Sequence, residues 1–589
     1  VLEDAPELAE TNIEEFLLGE HKPASVTQCL SHDGASGGEG EVNALYEAFL
    51  QVSKSSPNKP AAIEPLFLGD AVRYGHSSYR EVTERIHKYE RGLVELGLRA
   101  GDRVLMLVPA GVEFLALSYA VMGRGALPIF IDPGIGREKL FQCIRDVKPD
   151  VLIGSPKAQL LRFKRNELFP HLRFHITASD WLFTGGPKLS FLKRFSPQPL
   201  PPAHGSGGAF VAFTSGATGI PKGVMFTNEM IREQLRIFRD VFELEPGKKD
   251  LPLLPIFSLF HLALGVCSVF PAIDSARPLN LSPERIVRII TDLQIDYSFG
   301  SPTLWKKISE YCVRSGEVLS SMKKILMAGA PVPKDVLERV KEVMESGVVY
   351  TPYGATEALP VTLVSSESIL NQHDVPAKGG EQGTFVGHAV DGVSVRVVKS
   401  FEAVPDSPRE LVDCSPFEIG EVLVSGKNVS PLYFERPQET ASAKVQDGER
   451  FWHRMGDMGY LDEEENLYFC GRKAHRVQGN SRLYYSVPTE RIFNDHPKVK
   501  RSALVSLQGE AEPGIVLEPF PQHWPDTDEK RRTFLKEIEN IAAQHELTKN
   551  IRWFFFHPSF PVDARHNAKI YRDQLSTWAA QYITVEDAA

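Results

Sequence analysis

The most informative segment of this chain reads Phe213-Thr214-Ser215-Gly216-Ala217-Thr218-Gly219-Ile220-Pro221-Lys222-Gly223-Val224. It follows the apolar run Ala209–Ala212, which is typical of a buried strand. Its glycines let backbone N–H groups approach phosphate oxygens, its hydroxyls donate hydrogen bonds, and Lys222 adds a positive charge. Because Pro221 separates Gly219 from Lys222, the segment lacks the Walker pattern, and we expect a flexible hairpin-like loop. The alternative is a plain surface turn rich in Gly, Ser and Thr.

Strand and helix patterns alternate upstream of this loop. Three segments with helical spacing alternate with three apolar strand runs: Tyr79–Leu96, Arg103–Val108, Val112–Arg124, Ala126–Asp132, Lys139–Val147 and Asp150–Gly154. This alternation predicts an α/β fold whose parallel sheets are covered by helices on both faces. Ligands in such folds bind at the carboxyl ends of the strands.

The composition excludes several classes of protein. A chain of 589 residues is too long for one core and indicates two or three domains. The net charge of −10 argues against a nucleic-acid binder. Six scattered cysteines without CxxC spacing favour reduced thiols over disulfides or a zinc site. The acidic N-terminus does not resemble a signal peptide, so we expect a cytoplasmic protein whose residues 1–42 form a flexible arm.

One segment has the length of a membrane span. Leu251–Ile273 contains no Asp, Glu, Lys or Arg over 23 residues. Pro252, Pro255 and Pro271 interrupt it, and His261 lies in its middle. We therefore expect an apolar pocket or core rather than a transmembrane helix, while peripheral membrane contact stays open.

Three acidic or basic residues stand out downstream. Glu357 ends the motif Tyr350-Thr351-Pro352-Tyr353-Gly354-Ala355-Thr356-Glu357, in which a tyrosine can stack on a purine and a carboxylate can bind Mg²⁺. Asp457 lies in Trp452–Tyr460, and an ionised carboxylate accepts hydrogen bonds from two hydroxyls. Lys569 lies near the C-terminus. The structural alternatives are a charge at a helix N-terminus for Glu357, a turn-closing role for Asp457 and a solvated surface charge for Lys569.

Together these segments resemble the signatures of the adenylate-forming enzymes, the superfamily of acyl-CoA synthetases, luciferases and peptide-synthetase adenylation domains. The resemblance extends from about Asn43 to about Leu575. It implies a large N-terminal domain of helix-covered, mostly parallel sheets and a small, mobile α+β C-terminal domain. The expected boundaries are 43–472 for the large ATP- and acyl-binding domain and 473–589 for the small domain.

The resemblance also implies a role for each motif. Catalysis would use Lys569, Glu357 and His261, with Glu357 as the Mg²⁺ ligand and Lys569 stabilising charge during adenylation. His261 would lie beside the acyl carboxylate, and a core histidine without a catalytic role is the alternative. The residues expected to bind ATP are Thr214, Ser215, Gly216, Ala217, Thr218, Gly219, Lys222, Gly329, Ala330, Pro331, Tyr353, Gly354, Thr356, Asp457 and Arg472.

Departures from the superfamily pattern favour one branch. The hinge position is usually Asp or Lys in these enzymes and is Ala474 here. The segments Trp452–Asp457, Gly471–Val477 and Arg565–Lys569 are similar to those of the β-lactone synthetases of bacterial long-chain olefin biosynthesis. That similarity implies ATP-dependent activation of a 2-alkyl-3-hydroxy fatty acid followed by closure of a β-lactone. It also implies assembly with thiolase-like and decarboxylase-like enzymes.

Two other readings stay open at this point. A long-chain acyl-CoA or acyl-carrier-protein ligase would use the same acyl-adenylate, and a non-catalytic acyl- or nucleotide-binding relative would release no pyrophosphate. The general base for ring closure is not identified by the sequence, and His261 and His475 are the two candidates.

Overall fold

The computed structural model describes residues 40–69, 71–180, 185–205, 208–214, 221–271, 273, 278–372, 374–480, 482–507, 512–563 and 569–582. Most of the predicted arm 1–42 therefore lies outside the described residues. The same holds for Ser215, Gly216, Ala217, Thr218 and Gly219 of the phosphate loop. The described residues from Glu41 onward belong to one compact unit.

The helices of the described chain are α1 Ala44–Ser55, α2 Tyr79–Glu95, α3 Val112–Gly123, α4 Arg137–Val147, α5 Pro156–Lys164, α6 Leu189–Lys193, α7 Asn228–Asp240, α8 Phe257–Ala263, α9 Pro283–Leu293, α10 Pro302–Ser315, α11 Lys334–Val343, α12 Ser366–Asn371, α13 Pro437–Ala443, α14 Ser486–Asn494, α15 Asp528–Gln544 and α16 Arg572–Ala580.

Its strands are β1 Pro60–Leu68, β2 Ala71–Ser78, β3 Arg103–Leu107, β4 Leu127–Ile131, β5 Val151–Gly154, β6 Phe174–Thr177, β7 Gly208–Thr214, β8 Lys222–Thr227, β9 Lys249–Pro252, β10 Cys267–Val269, β11 Tyr297–Gly300, β12 Lys324–Met327, β13 Val348–Ala355, β14 Ala358–Ser365, β15 Thr384–Ala389, β16 Val393–Val398, β17 Gly420–Gly426, β18 Lys444–Asp447, β19 Arg450–Leu461, β20 Leu467–Arg472, β21 Val477–Gln478, β22 Leu483–Tyr484, β23 Val499–Ser506, β24 Pro513–Pro519 and β25 Trp553–Phe556.

The first sheet has the strand order β6-β5-β3-β4-β7-β8. Its strands run parallel except for β8, which pairs antiparallel with β7. The predicted alternation of Tyr79–Gly154 is confirmed to within two residues, because fully apolar runs such as β5 can be buried on both faces. Thr214 pairs with Lys222, so the two strands that flank the phosphate loop form the stem of a hairpin, as predicted.

The second sheet has the order β16-β17-β19-β20-β15-β14-β13-β12-β11-β9-β10-β1-β2. Its parallel part runs from β1 through β10, β9, β11 and β12 to β13, and the strands on either side pair antiparallel. Helix α9 shows how the covering helices form: Ser282 caps its N-terminus, and Ile286, Ile289 and Ile290 are buried at the spacing of one helical face. The predicted α/β class is confirmed.

The C-terminal part has cores of its own. Strands β23-β24-β25 form a separate sheet packed with α14 and α16, and two apolar clusters contain only residues from Val477 onward. This α+β unit agrees with the expected small domain, while the boundary between 472 and 473 stays a prediction.

The charge-free segment 251–273 does not form a long helix. It begins within β9, continues through the seven-residue helix α8 and reaches β10, all with buried residues. Within the part of the chain that the structure describes, no helix is long and apolar enough to cross a membrane.

Candidate active site

A cavity of about 1570 Å³ opens at the carboxyl ends of β7, β9, β11 and β12, the edge predicted for ligands. It exceeds the roughly 300–1,000 Å³ of most small-molecule pockets. The predicted site residues on its wall are Lys222, Gly329, Ala330, Pro331, Tyr353, Gly354, Thr356, Glu357, Asp457, Arg472 and Lys569. The backbone of Thr214 ends β7 opposite Lys222.

Asp457 is the centre of a buried polar group. It lies in β19 opposite Arg472 of β20, with 3.1 Å between Asp457 Oδ1 and Arg472 Nη1, and Tyr353 Oη donates to Asp457 Oδ2 at 2.7 Å. Burial raises the pKa of Asp457 above its ordinary value, although Arg472 and Tyr353 oppose the shift. Oδ1 accepts no hydrogen bond from the described residues, so it can accept one from a ligand hydroxyl. The turn-closing alternative is wrong, because Asp457 lies within a strand.

Glu357 lies in the tight turn between β13 and β14, where Ala355 pairs with Ala358. The alternative of a helix N-terminus is therefore wrong. Gly354 permits this turn, since a Cβ there would lie 2.3 Å from the Ala358 carbonyl oxygen. Glu357 therefore lines the cavity from a tight turn whose backbone has little freedom.

Tyr433 links the acidic turn to the phosphate-loop lysine. Its hydroxyl donates to Glu357 Oε1 at 2.8 Å, and Lys222 Nζ lies 4.6 Å from its ring centroid, within cation–π range. Burial and the Glu357 carboxylate raise the pKa of Tyr433 well above its ordinary value, so the hydroxyl stays a donor. Tyr433 was not among the predicted site residues.

The backbone around Tyr433 reinforces this link. Ser430 N donates to the Glu357 carbonyl at 2.7 Å, and Phe434 N donates to the Gly223 carbonyl at 2.7 Å. Ser430 Oγ also donates to the Met225 carbonyl at 2.7 Å. The segment 430–434 thus holds the acidic turn and the strand of Lys222 in a fixed relation.

Two further basic residues lie behind this segment. Lys444 is buried, donates to the Ser430 carbonyl and lies 4.6 Å from the Phe451 ring centroid; burial lowers its pKa to about 7. His453 of β19 also lines the cavity. Its Nδ1 lies 3.2 Å from the Ala443 carbonyl and must donate, so Nε2 is the acceptor; burial and Lys444 hold its pKa well below the usual range.

Lys569 reaches the cavity wall from the small C-terminal unit. Lys569 N donates to Asp563 Oδ1 at 2.8 Å, and Asp563 N donates to the Lys569 carbonyl at 3.0 Å. Val562 and Ile570 form a bridge beside this pair, and Tyr571 places its ring 5.6 Å from Lys139 Nζ of the large unit. Two hydrogen bonds between Lys569 and Asp563 therefore hold the lysine at the cavity wall.

The residue just before the expected hinge, Lys473, is held by ion pairs. Lys473 Nζ donates to the Phe401 carbonyl at 2.6 Å and to Glu421 Oε2 at 3.0 Å, and Arg454 Nε lies 2.7 Å from Glu421 Oε1. Glu421 is only 1% exposed, so each cation balances a buried charge. Ala474 is exposed beside this network. Burial, with Arg572 and Arg472, lowers the pKa of His475 to about 3.

His261 does not line the cavity. Its Nδ1 lies 2.8 Å from Asp250 Oδ2, both side chains are buried, and Phe238 packs edge-on against its ring at 5.4 Å. On α8 it is Phe257 and Phe260 that line the cavity. This geometry matches the core-histidine alternative, and the catalytic role of His261 stays a prediction.

The acidic side chains limit how a metal could bind. Among the described residues no group of three or more His, Cys, Asp or Glu side chains could hold a metal ion. Magnesium accepts one or two protein carboxylates together with phosphate oxygens and water. Glu357 fits that arrangement, provided that the remaining ligands come from the nucleotide and solvent.

The chain was compared with known proteins. Residues 49–434 match the family model described as AMP-binding enzyme. The olefin beta-lactone synthetases of Xanthomonas campestris pv. campestris and Stenotrophomonas maltophilia are each 35% identical to it, over 86% and 85% of this chain and 91% of each relative. O-succinylbenzoate coenzyme A synthetase from Bacillus subtilis, solved with ATP and a magnesium ion, superposes with a TM-score of 0.69 at 19% identity, over 90% of this chain and 98% of that one.

Proposed function

This chain belongs to the AMP-binding enzyme family and forms acyl-adenylates, and from that premise we propose that it converts a 2-alkyl-3-hydroxy fatty acid to a β-lactone at the expense of ATP. The names of the two relatives at 35% identity support the lactone product. The observation on which the proposal depends most is that Lys569, Glu357, Asp457 and Arg472 line one cavity whose remaining wall is largely apolar.

The first half-reaction is adenylation. A carboxylate oxygen of the acid attacks the α-phosphorus of ATP, a new P–O bond forms, and pyrophosphate leaves. Asp457 would accept hydrogen bonds from the ribose, and Lys569 would stabilise the charge that develops between carboxylate and α-phosphate. Bound Mg²⁺ would neutralise phosphate charge, and Glu357 would hold it with Tyr433 fixing one carboxylate oxygen.

The second half-reaction is ring closure. The oxygen of the 3-hydroxyl attacks the acyl carbonyl, the bond from that carbon to AMP breaks, and the hydroxyl proton is lost. Because nucleophile and electrophile belong to one molecule, a cavity that orients them gains a large effective concentration. The apolar wall also limits access of water, which would hydrolyse the adenylate.

The two histidines suggested by the sequence are poorly suited to accept that proton here. His261 lies off the cavity wall and is paired with Asp250. His475 lines the cavity, but a pKa of about 3 makes it a weak base near neutral pH. We therefore assign neither residue as the base in this arrangement.

Ring closure is compatible with a reaction completed in one domain arrangement. Thioester-forming relatives are expected to rotate the small domain between half-reactions so that a second substrate can enter. Ring closure needs no second substrate, so it does not need that rotation. A long-chain acyl-CoA or acyl-carrier-protein ligase is the alternative, and assembly with thiolase-like and decarboxylase-like enzymes remains part of the proposal.

Oxygen labelling tests the proposed chemistry. We expect ¹⁸O placed in the 3-hydroxyl to stay in the lactone ring and ¹⁸O placed in the carboxylate to appear once in AMP. Loss of the hydroxyl label would mean that the carboxylate attacks C3 instead. An acid that lacks the 3-hydroxyl should release pyrophosphate and stop at the acyl-adenylate.

A further inference from the structure

The cavity extends to both faces of the second sheet. Successive side chains of a strand point to opposite faces. Ile325 and Met327 of β12 belong to one apolar cluster, while Leu326 and the next residue after the strand, Ala328, belong to another. Met327 and the adjacent Ala328 nevertheless both line the cavity. The cavity therefore wraps around the carboxyl edge of the sheet and contacts two separate apolar cores.

The inner branch of the cavity lies between the two sheets and is lined by aromatic rings. Phe299 of β11 packs at 3.9 Å against Phe257 of α8, and Phe260 of the same helix lies 6.2 Å from Phe210 of β7. Phe130 of β4 lies 5.6 Å from Phe210 and continues this row. All five rings line the cavity, so the inner branch presents a continuous apolar wall from one sheet to the other.

The outer branch lies on the opposite face of the second sheet. Leu253, Leu304 and Met327 line it and belong to the cluster covered by α9, α10 and α11. Ile369 of α12 is half-buried against the same cluster and also lines the cavity. These side chains belong to an apolar core that does not include the rings of the inner branch.

Helix α8, which supplies two rings of the inner branch, is held firmly. Tyr119 Oη donates to the Leu259 carbonyl at 2.6 Å, and Tyr79 Oη donates to the Leu262 carbonyl at 2.9 Å. Both tyrosines are fully buried. The wall of the inner branch is therefore largely formed before any substrate binds.

We propose that the inner and outer branches bind the two alkyl chains of the substrate, one chain in each. The inference rests on the proposed function, in which the acid has alkyl chains on the adjacent carbons C2 and C3. Rotation about the C2–C3 bond lets the two chains point in different directions, and two apolar cores on opposite faces of one sheet edge can accommodate such a conformer. An acid with a single chain would fill one branch and leave the other in contact with water.

The test narrows one branch at a time and measures pyrophosphate release. Val108→Trp adds bulk at a half-buried inner position, and Leu304→Phe adds bulk in the outer branch. The substrates are two series of 2-alkyl-3-hydroxy acids, one shortened only in the 2-alkyl chain and one only beyond C3. Leu160→Phe, at a half-exposed position of α5 away from the cavity wall, is the matched control.

We expect each narrowing variant to lose at least tenfold in kcat/KM with two long chains, since each methylene that leaves the wall costs about fourfold. Shortening one alkyl chain of the substrate should restore the kcat/KM of the Val108→Trp variant. Shortening the other alkyl chain should restore the kcat/KM of the Leu304→Phe variant. If Leu304→Phe lowers the Tm enough to prevent assay, Ile369→Trp replaces it. The assignment would be overturned if shortening the same chain restored the kcat/KM of both variants, or if shortening either chain restored neither variant.

Pyrophosphate release separates this proposal from the proposed function. It reports binding and adenylation whatever the acyl-adenylate later becomes. If each variant responds to a different alkyl chain but no lactone forms, the assignment of the two branches is supported and the proposed lactone product is wrong. If a lactone forms but the variants do not respond to different chains, the lactone product is supported and the assignment of the two branches is wrong.

Discussion

Tyr433→Phe removes one hydroxyl and leaves the ring that faces Lys222. The hydrogen bond that is lost runs from Tyr433 Oη to Glu357 Oε1 and is 2.8 Å long. Tyr433 is only 7% exposed, and the acceptor is a charged carboxylate. Such bonds contribute about 1.5–3 kcal/mol, so we expect kcat/KM for adenylation to fall about 10- to 100-fold. Because Lys222 keeps its aromatic neighbour, most of the loss should appear as a higher Mg²⁺ requirement rather than weaker ATP binding.

The assay is pyrophosphate release at several Mg²⁺ concentrations, with Tyr433→Leu as the matched variant that also removes the ring. Tyr433→Leu should raise the KM for ATP in addition to the Mg²⁺ requirement, since the Lys222 contact at 4.6 Å is lost as well. Melting temperatures identify any unfolded variant. A Tyr433→Phe enzyme with an unchanged Mg²⁺ dependence would refute the role given to this hydroxyl.

Three further predictions concern other residues of the site. Lys569→Gln should lower kcat for pyrophosphate release about 10²- to 10³-fold while nucleotide binding measured by calorimetry persists, and an equal loss of binding would contradict a role in charge stabilisation. Asp457→Asn should raise the KM for ATP about tenfold or more because its Oδ1 contact to Arg472 loses its charge, and a fall confined to kcat would contradict ribose binding. The pKa of His475 is about 3, below its unfolded value near 6.5, so the unfolded state binds more protons and stability falls as pH drops from about 6.5 towards 3. His475→Gln should therefore lose less Tm between pH 7 and pH 5 than the natural protein, and equal losses would contradict the assignment.

The sequence allows predictions where the chemistry is local. Glycines, hydroxyls and a lysine within one hairpin, or a carboxylate following a tyrosine by four residues, can be read without knowing the fold. The alternation of strand and helix likewise predicted that a ligand would bind at the carboxyl ends of parallel strands, which is where the cavity opens.

The remaining features depend on contacts between distant segments. Tyr433 lies 76 residues from Glu357, and its sequence neighbours do not indicate that its hydroxyl contacts the acidic turn. Whether His261 faces the cavity depends on the rotation of a seven-residue helix, which the sequence does not determine. The low pKa of His475 likewise arises from burial and from Arg572, which lies 97 positions further along the chain in α16.

The most direct test of the central claim is analysis by NMR of the product formed from ATP, Mg²⁺ and a 2-alkyl-3-hydroxy fatty acid, with and without coenzyme A. We predict a β-lactone, AMP and pyrophosphate in equal amounts, formed at the same rate whether or not coenzyme A is present. A thioester that forms only with coenzyme A, with no lactone in its absence, would contradict the account and place the enzyme among the acyl-CoA ligases.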